Sequence, residues 1–176
     1  MNRAKDLQAM ADNGGILNVF RMMLRNPQVA DPVIRLGAAQ FQSSSLQPIE
    51  REMTALAAGA LFEAPFETAQ HDPLSRALGI TEQQRQAITS QDWVARCFSA
   101  KQRVLLRFVA AVAVHPKIPH SMLSDVRVHF TDEQVVDVIV QTGYYFLIAR
   151  TITVLDVPID APSNARVFNA FHRPNS

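Results

Sequence analysis

Residues 51–81 read REMTALAAGALFEAPFETAQHDPLSRALGIT, and this stretch decides the fold class. Pro48, just upstream, suits the first turn of a helix that runs into the stretch. Pro65 then restarts the chain as a second helix, which continues to Leu78. Gly79 is expected to end it, because glycine tolerates the left-handed conformation of a helix C-cap. Two successive helices with no strand signal between them favour an all-helical chain.

Capping boxes mark three further helix starts. In each box a Ser or Thr hydroxyl accepts a hydrogen bond from an orphan backbone N–H, and a Gln three residues later reaches back. The boxes are Thr81 with Gln84, Ser99 with Gln102, and Thr131 with Gln134. The segment VVDVIV after the third box is rich in β-branched residues, as strands are. Its cap and the length of its apolar pattern nevertheless favour a helix. The sequence therefore predicts an all-α fold.

The composition excludes several classes of protein. The chain has 176 residues, 48% of them hydrophobic, and a formal net charge of +1. Its length, with no linker or repeat, favours a single domain over residues 1–176. The basic run or basic face typical of nucleic-acid-binding proteins is missing, so no nucleic-acid partner is expected. The sequence also predicts no signal peptide and no membrane span, because the longest apolar runs are interrupted by Arg107 or Asp137. We expect a cytoplasmic protein.

One pair of side chains is placed for proton transfer. Glu67 and His71 are four positions apart in the helix that Pro65 opens, so they lie on one face about a turn apart. A carboxylate beside an imidazole can hold the ring in one tautomer or exchange a proton with it. The structural alternative is an exposed pair that stabilises the helix by a few tenths of a kcal/mol. Glu52, in the preceding helix, either points to the same place or pairs with a surface arginine.

Together these residues resemble the core of the carboxymuconolactone decarboxylase-like family, which shares an all-helical fold with the AhpD-type alkylhydroperoxidases. The family pattern is an Arg-Glu pair, then an aromatic–Glu–aromatic triplet, a His four residues after that Glu, and a later Gly. The matching residues are Arg51-Glu52, Phe66-Glu67-Thr68, His71 and Gly79. The closing part of the chain is similar too, with Gly143-Tyr144-Tyr145, Arg150 and VLDVPID at 154–160. The resemblance covers about residues 28–160 and leaves an N-terminal extension over 1–27.

The resemblance implies an AhpD-like domain of about seven or eight helices that assembles as a homo-oligomer, a trimer or a hexamer. It implies a cofactor-free acid–base enzyme, a carboxy-lyase or an isomerase, acting on a small conjugated carbonyl or lactone acid. No metal is expected. The expected catalytic residues are His71, Glu67 and Glu52. The expected substrate-binding residues are Phe66, Tyr145 and Arg150, with simple packing as the alternative for the last two.

The chain departs from the peroxidase branch of this fold. That branch has a Cys-x-x-Cys before the His, and the matching positions here are Ala64 and Glu67. Without either thiol the sulfenic-acid and disulfide cycle is not available, so peroxidase activity is not expected. The single cysteine, Cys97, lies in another segment and is interpreted as a half-buried small hydrophobe. The alternative function is a non-catalytic oligomer that binds a small molecule.

Overall fold

The structure, a computed structural model, describes residues 16–160, and within that range the chain is all-helical with no strands. The all-α prediction is confirmed. Residues 1–15 of the expected N-terminal extension lie outside the described residues. Eight helices follow one another in this part of the chain: α1 Asn18–Met23, α2 Pro27–Gln42, α3 Pro48–Leu61, α4 Pro65–Ala77, α5 Glu82–Thr89, α6 Ala100–Val114, α7 His120–Arg127 and α8 Asp132–Val154.

The helix starts agree with the local signals in the sequence. All three capping boxes form, with the hydroxyl accepting from the backbone of the Gln and the Gln accepting in return. Pro48 and Pro65 both lie in the first turn of their helices. Gly79 follows α4 with φ of +80°, the left-handed conformation predicted for it. The β-branched VVDVIV segment is helical within α8.

Two elements differ from the sequence-based expectation. The periodicity predicts a helix from about Val29 that begins close to Pro32, but α2 begins at Pro27 and Pro32 lies inside it. Pro27 occupies the first turn, where a missing N–H costs nothing, and this earlier start includes the second proline. The cluster of His115, Pro116, Pro119 and His120 is interpreted from the sequence as a solvated loop; residues 115–119 do form a largely exposed loop, and only His120 differs, because it begins α7.

The described residues divide into two compact units. One unit comprises residues up to Ser44 and from Thr151 onward, and the other comprises Ser45–Arg150. In the first unit, α1 and α2 pack around a small apolar cluster that includes Ile16 and Ile34. In the second, α3 packs against α4, α5 and α6 over the main core. The buried aromatic and aliphatic residues of that core include Met53, Leu56, Ile88, Leu106 and Phe108.

Helix α8 is apolar around most of its circumference. Within the described residues it is the one helix long and apolar enough to cross a membrane, and half of its most apolar window is buried inside the fold. A core helix passes the same length and composition test, so this is weak evidence for a membrane span.

Candidate functional site

Helix α3 carries Glu52 into the interior of the larger unit. Most of its residues from Glu50 to Gly59 are buried, and Glu52 itself is 2% exposed. A carboxylate at such a depth is rare unless it is paired, because burial removes its hydration. Of the two placements that the sequence leaves open for Glu52, the structure has the inward one.

The partner of Glu52 is the imidazole of His71 on α4. The Nδ1 atom of His71 lies 2.9 Å from Oε1 of Glu52, and His71 is 1% exposed. Because a carboxylate only accepts, we assign the proton to Nδ1, which donates to Glu52. This hydrogen bond fixes the tautomer and the orientation of the ring, as carboxylate partners do for catalytic histidines. Proton exchange is thereby directed to the other nitrogen, Nε2.

Two side chains face Nε2 of His71. The hydroxyl of Tyr145, on α8, lies 3.1 Å from it, and the two rings meet edge to face with centroids 5.3 Å apart. Oε2 of Glu67 lies 3.7 Å from the same nitrogen. That distance is too long for a hydrogen bond but short enough for a strong charge interaction in a buried site. The ring therefore lies between two carboxyl groups and a phenol.

The electrostatics of this cluster favour bound protons. Burial raises the pKa of Glu67 to about 7; a positive charge on His71 opposes the rise and Glu52 adds to it. Burial alone would lower the pKa of His71. The charge and hydrogen bond of Glu52 and the charge of Glu67 outweigh burial, so this pKa lies above its ordinary value. Near neutral pH both Glu67 and His71 can therefore exchange protons.

Tyr145 keeps its phenolic proton. Burial raises the pKa of Tyr145 well above its ordinary value, and the charges of Glu67 and Glu52 raise it further. The adjacent Tyr144 is affected in the same direction, again chiefly by burial. Tyr145 is thus a hydrogen-bond donor or acceptor in this site and does not become a phenolate.

Within residues 16–160, one oxygen of Glu67 has no hydrogen-bond partner. Glu67 is 4% exposed, and its Oε1 is buried and unpaired while Oε2 faces His71. Buried polar atoms in folded proteins are nearly always hydrogen-bonded, so such an exception indicates a functional position. A ligand group beside Glu67 would satisfy this oxygen.

Gly59 allows α3 and α4 to come together at this point. A Cβ atom built on Gly59 would lie 3.2 Å from Cβ of Glu67 and 3.4 Å from Oγ1 of Thr68. The first of these contacts is tighter than ordinary van der Waals packing. The lack of a side chain at Gly59 therefore sets the distance between the helix that carries Glu52 and the helix that carries His71.

Gln141 is a polar residue of the cluster that sequence reasoning missed. It is 2% exposed, and its Nε2 donates to the backbone oxygen of Arg51, one residue before Glu52, at 2.7 Å. It lies one helical turn before Tyr145 on α8 and acts against the rise that burial causes in the pKa of that phenol. The signal in the sequence is a Gln four residues before Tyr145, on the same face of the helix and among apolar residues.

The expected site residues do not all meet. The structure brings together Glu52, Glu67, His71 and Tyr145, and it buries Phe66 beside Glu67 in the first turn of α4. Arg150 is not brought to this cluster. It is exposed, and its guanidinium lies 5.3 Å from the centre of the Phe146 ring. Among residues 16–160, no group of three or more His, Cys, Asp or Glu side chains is arranged to hold a metal ion.

Comparison with solved structures identifies the fold. A protein with the alkylhydroperoxidase AhpD core, an uncharacterized peroxidase-related protein from Ralstonia eutropha, superimposes with a TM-score of 0.74 over 96% of this chain and 88% of that chain. The chain has the AhpD-like fold. Sequence identity to that protein is 20%, so the likeness concerns the fold alone. No protein-family model and no curated protein matches the sequence.

Two other AhpD-like structures extend the comparison. An uncharacterized peroxidase-related protein from Silicibacter sp. has a TM-score of 0.75 and 21% identity, and the match covers 91% of this chain and 85% of that one. The debrominase Bmp8, in complex with 2,3,4-tribromopyrrole, has a TM-score of 0.72 and 12% identity over 97% of this chain and 91% of its own. The fold expected from the sequence resemblance is thus confirmed, and at least one protein with this fold is an enzyme.

Proposed function

We propose that this protein is a cofactor-free acid–base enzyme that acts on a small conjugated carbonyl or lactone acid. The observation that carries the proposal is the buried imidazole of His71, held by Glu52 on one nitrogen and faced by Glu67 and Tyr145 on the other. Burying two carboxyl groups and an imidazole costs stability, and buried groups with shifted pKa values concentrate at functional sites. A proton-transfer site supplies that use.

In a decarboxylation, the substrate carbonyl accepts the electron pair of the C–C bond as CO2 leaves, which gives a dienolate. His71 would then deliver the Nε2 proton to the carbanionic carbon, while Glu52 stabilises the charged ring. Tyr145 would donate a hydrogen bond to the enolate oxygen. In an isomerisation the same nitrogen would remove a proton from one carbon and return it to another. The cluster supports both outcomes, and the proposal keeps both.

Glu67 is proposed to bind the substrate through its unpaired oxygen. Below about pH 7 this carboxyl group carries a proton, so it can donate to a substrate carboxylate or carbonyl that lies beside it. Above that pH its negative charge would repel an acidic substrate. This dual behaviour links substrate binding to the protonation state of the site.

The thiol chemistry of the peroxidase branch is not part of this proposal. Ala64 is buried at the start of α4, and Glu67 occupies the first turn, so the two matching positions carry a methyl group and a carboxyl group. A peroxide-reducing cycle needs a thiolate that is oxidised and a second thiol that resolves it. Cys97, the single cysteine, lies in a different segment between α5 and α6.

The test follows proton exchange at carbon. Unsaturated lactone acids and β-keto acids are incubated with the protein in D2O, and 1H NMR records deuterium entering the carbon skeleton and loss of the carboxyl group. We expect turnover of at least one compound, lowered about 10²–10⁴-fold by His71→Asn. The matched control, His115→Asn at an exposed histidine, should retain the wild-type rate. Equal rates in both variants, or compounds that bind without any exchange, would favour the binding-protein alternative.

A further inference from the structure

Helix α8 contacts the candidate site at two points one turn apart. At one, the hydroxyl of Tyr145 lies 3.1 Å from Nε2 of His71. At the other, Nε2 of Gln141 donates to the backbone oxygen of Arg51 at 2.7 Å. That oxygen belongs to the peptide unit that joins Arg51 to Glu52. One helix therefore contacts both the ring of His71 and the backbone that carries the carboxylate partner of the ring.

These contacts form a closed ring through three helices. The carboxylate of Glu52 on α3 meets Nδ1 of His71 on α4 at 2.9 Å. Nε2 of His71 meets Tyr145 on α8, and one turn of α8 leads back to Gln141. The hydrogen bond of Gln141 to the α3 backbone then closes the ring. In a closed ring each contact limits the others, so a change at Gln141 alters the geometry on both sides of the imidazole.

An amide is an unusual side chain for this position of α8. Gln141 is 2% exposed, and the buried residues on the same face of the helix include Val138 and Ile148. Burying an amide costs free energy unless its polar groups are hydrogen-bonded, and a leucine would pack there without that cost. The carbonyl of Arg51 also accepts the N–H four residues later in its own helix, so α3 does not need the Gln141 bond to form. The bond links two helices and completes neither, so its effect is on their relative position.

We propose that Gln141 is a positioning residue of the candidate site, whose hydrogen bond to the α3 backbone holds Glu52 and Tyr145 in place around His71. It acts through these two side chains and not on the reacting atoms of a substrate. Gly59 sets the distance between α3 and α4, and Gln141 ties α3 to α8. The effect on turnover rests on the proposed function, whereas the effect on the ring of His71 does not.

The next residue on α8 provides a matched control. Thr142 is also 2% exposed, and its Oγ1 donates to the backbone oxygen of Val138 at 2.7 Å. That bond stays within α8 and does not reach α3. Gln141→Met and Thr142→Val each remove one buried hydrogen bond and keep the side chain close to its size, so we expect similar losses of stability. Denaturant unfolding of the two variants checks this match.

The ionisation of His71 separates a positioning role from a merely structural one. The charge and the hydrogen bond of Glu52 raise the pKa of His71, so a looser contact between the two should lower it. A 15N NMR titration of the ring nitrogens should show a lower pKa of His71 in Gln141→Met and the wild-type value in Thr142→Val. A pKa of His71 that is no lower in Gln141→Met than in Thr142→Val would overturn the inference.

Steady-state kinetics in the deuterium-exchange assay provide a second readout. A small displacement of a proton-transfer group slows the reaction strongly, so kcat should fall about 10–10²-fold in Gln141→Met. KM should change little, because Gln141 donates to the backbone of α3 and not to the substrate. Thr142→Val should retain the kcat and the KM of the wild type. A rise in KM with kcat unchanged would mean that Gln141 binds the substrate itself, which would overturn the positioning role.

A second variant covers the case in which Gln141→Met does not fold. Gln141→Asn keeps the amide and shortens the side chain by one methylene group, so its donor no longer reaches the Arg51 oxygen at hydrogen-bond distance. We expect the pKa of His71 to fall as in Gln141→Met. An unchanged pKa of His71 in folded Gln141→Asn would overturn the inference. A lowered pKa of His71, with a wild type that converts none of the compounds, would support the inference and contradict the proposed function, so the two failures are distinct.

Discussion

The α3–α4 contact and the outer face of α8 are unusual in opposite ways. The first buries ionisable side chains, and the second exposes apolar ones. At the first, Glu52, Glu67 and His71 are buried, with at most 4% of their surface exposed. At the second, large apolar residues remain exposed, from 38% at Val140 to 57% at Val136. Each arrangement costs free energy in the isolated chain, because buried charges lose hydration and exposed apolar surface orders water. We interpret the first as a site for a substrate; the second is apolar surface that stays exposed.

The largest expected effect is at the buried acid that orients the ring. Glu52→Gln should lower turnover about 10²–10⁴-fold, because a neutral amide no longer stabilises the charged imidazole or fixes its tautomer. The amide oxygen can still accept from Nδ1, so the fold should be retained. The deuterium-exchange assay measures this effect. Glu63→Gln, the same change at an exposed residue two positions after α3, is the control and should have no effect. Equal activity of the two variants would refute the role of Glu52.

The next effect is a pH dependence of stability that originates at Glu67. Its pKa of about 7 in the folded protein exceeds the ordinary value of 4.5, so folding favours the protonated form. That contribution is complete below about pH 4.5 and is lost as pH rises through 7. The difference corresponds to about 3 kcal/mol. Because the pKa of His71 is also raised, its contribution to the stability of the wild type should likewise be lost as pH rises.

Glu67→Gln isolates the part of the pH dependence of stability that comes from the Glu67 carboxyl group. Denaturant unfolding of wild type and variant from pH 4.5 to pH 8 should show the variant gaining stability relative to wild type as pH rises. Glu63→Gln, at an exposed carboxyl group, is the matched control for the substitution itself. A difference between Glu67→Gln and wild type that is constant across this range would mean that Glu67 is ionised throughout.

A smaller effect is expected at the glycine between the two helices. Gly59→Ala adds a Cβ 3.2 Å from Cβ of Glu67, and both atoms are attached directly to helix backbones. One helix must therefore shift, which should cost about 1–3 kcal/mol despite the better helix propensity of alanine. The same shift should lengthen the contact between Glu52 and His71 and lower turnover. Unfolding at fixed pH measures the first consequence and the exchange assay the second. A more stable, fully active variant would show that the site does not require the close approach of α3 and α4 at Gly59.

The smallest effect is expected for the same glycine-to-alanine substitution on α8. Gly143→Ala meets nothing within 4 Å, so it should stabilise the chain by about 0.5–1 kcal/mol through helix propensity alone. Denaturant unfolding of the wild type and the variant at one pH measures the difference. Destabilisation would mean that the position of Gly143 is packed against other residues.

The sequence could predict what depends on near neighbours along the chain. The capping boxes, the left-handed Gly79 and the four-residue spacing of Glu67 and His71 are all local, and each is observed. The inward position of Glu52 depends on how closely α3 and α4 approach, a distance set by Gly59. The contact of Tyr145 with His71 joins residues 74 positions apart, and only the resemblance placed Tyr145 near a pocket.

Arg150 shows why the rest could not be predicted. Because α8 is apolar on both faces, its periodicity does not reveal which side meets the core. The same ambiguity conceals Gln141, which is buried, and Phe146, which is exposed. Only the packing of the whole unit assigns Tyr145 to the site and Arg150 to the outside.

The most direct test of the account is a titration of the histidine ring nitrogens by 15N NMR. If His71 is held between Glu52 and Glu67 as described, its ring should keep both protons to a pH above the ordinary range of an imidazole. Glu52→Gln should lower the pKa of His71, because it removes the charge that favours the imidazolium. A His71 that titrates in the ordinary range, in wild type and variant alike, would contradict the buried proton-transfer site on which the proposed function rests.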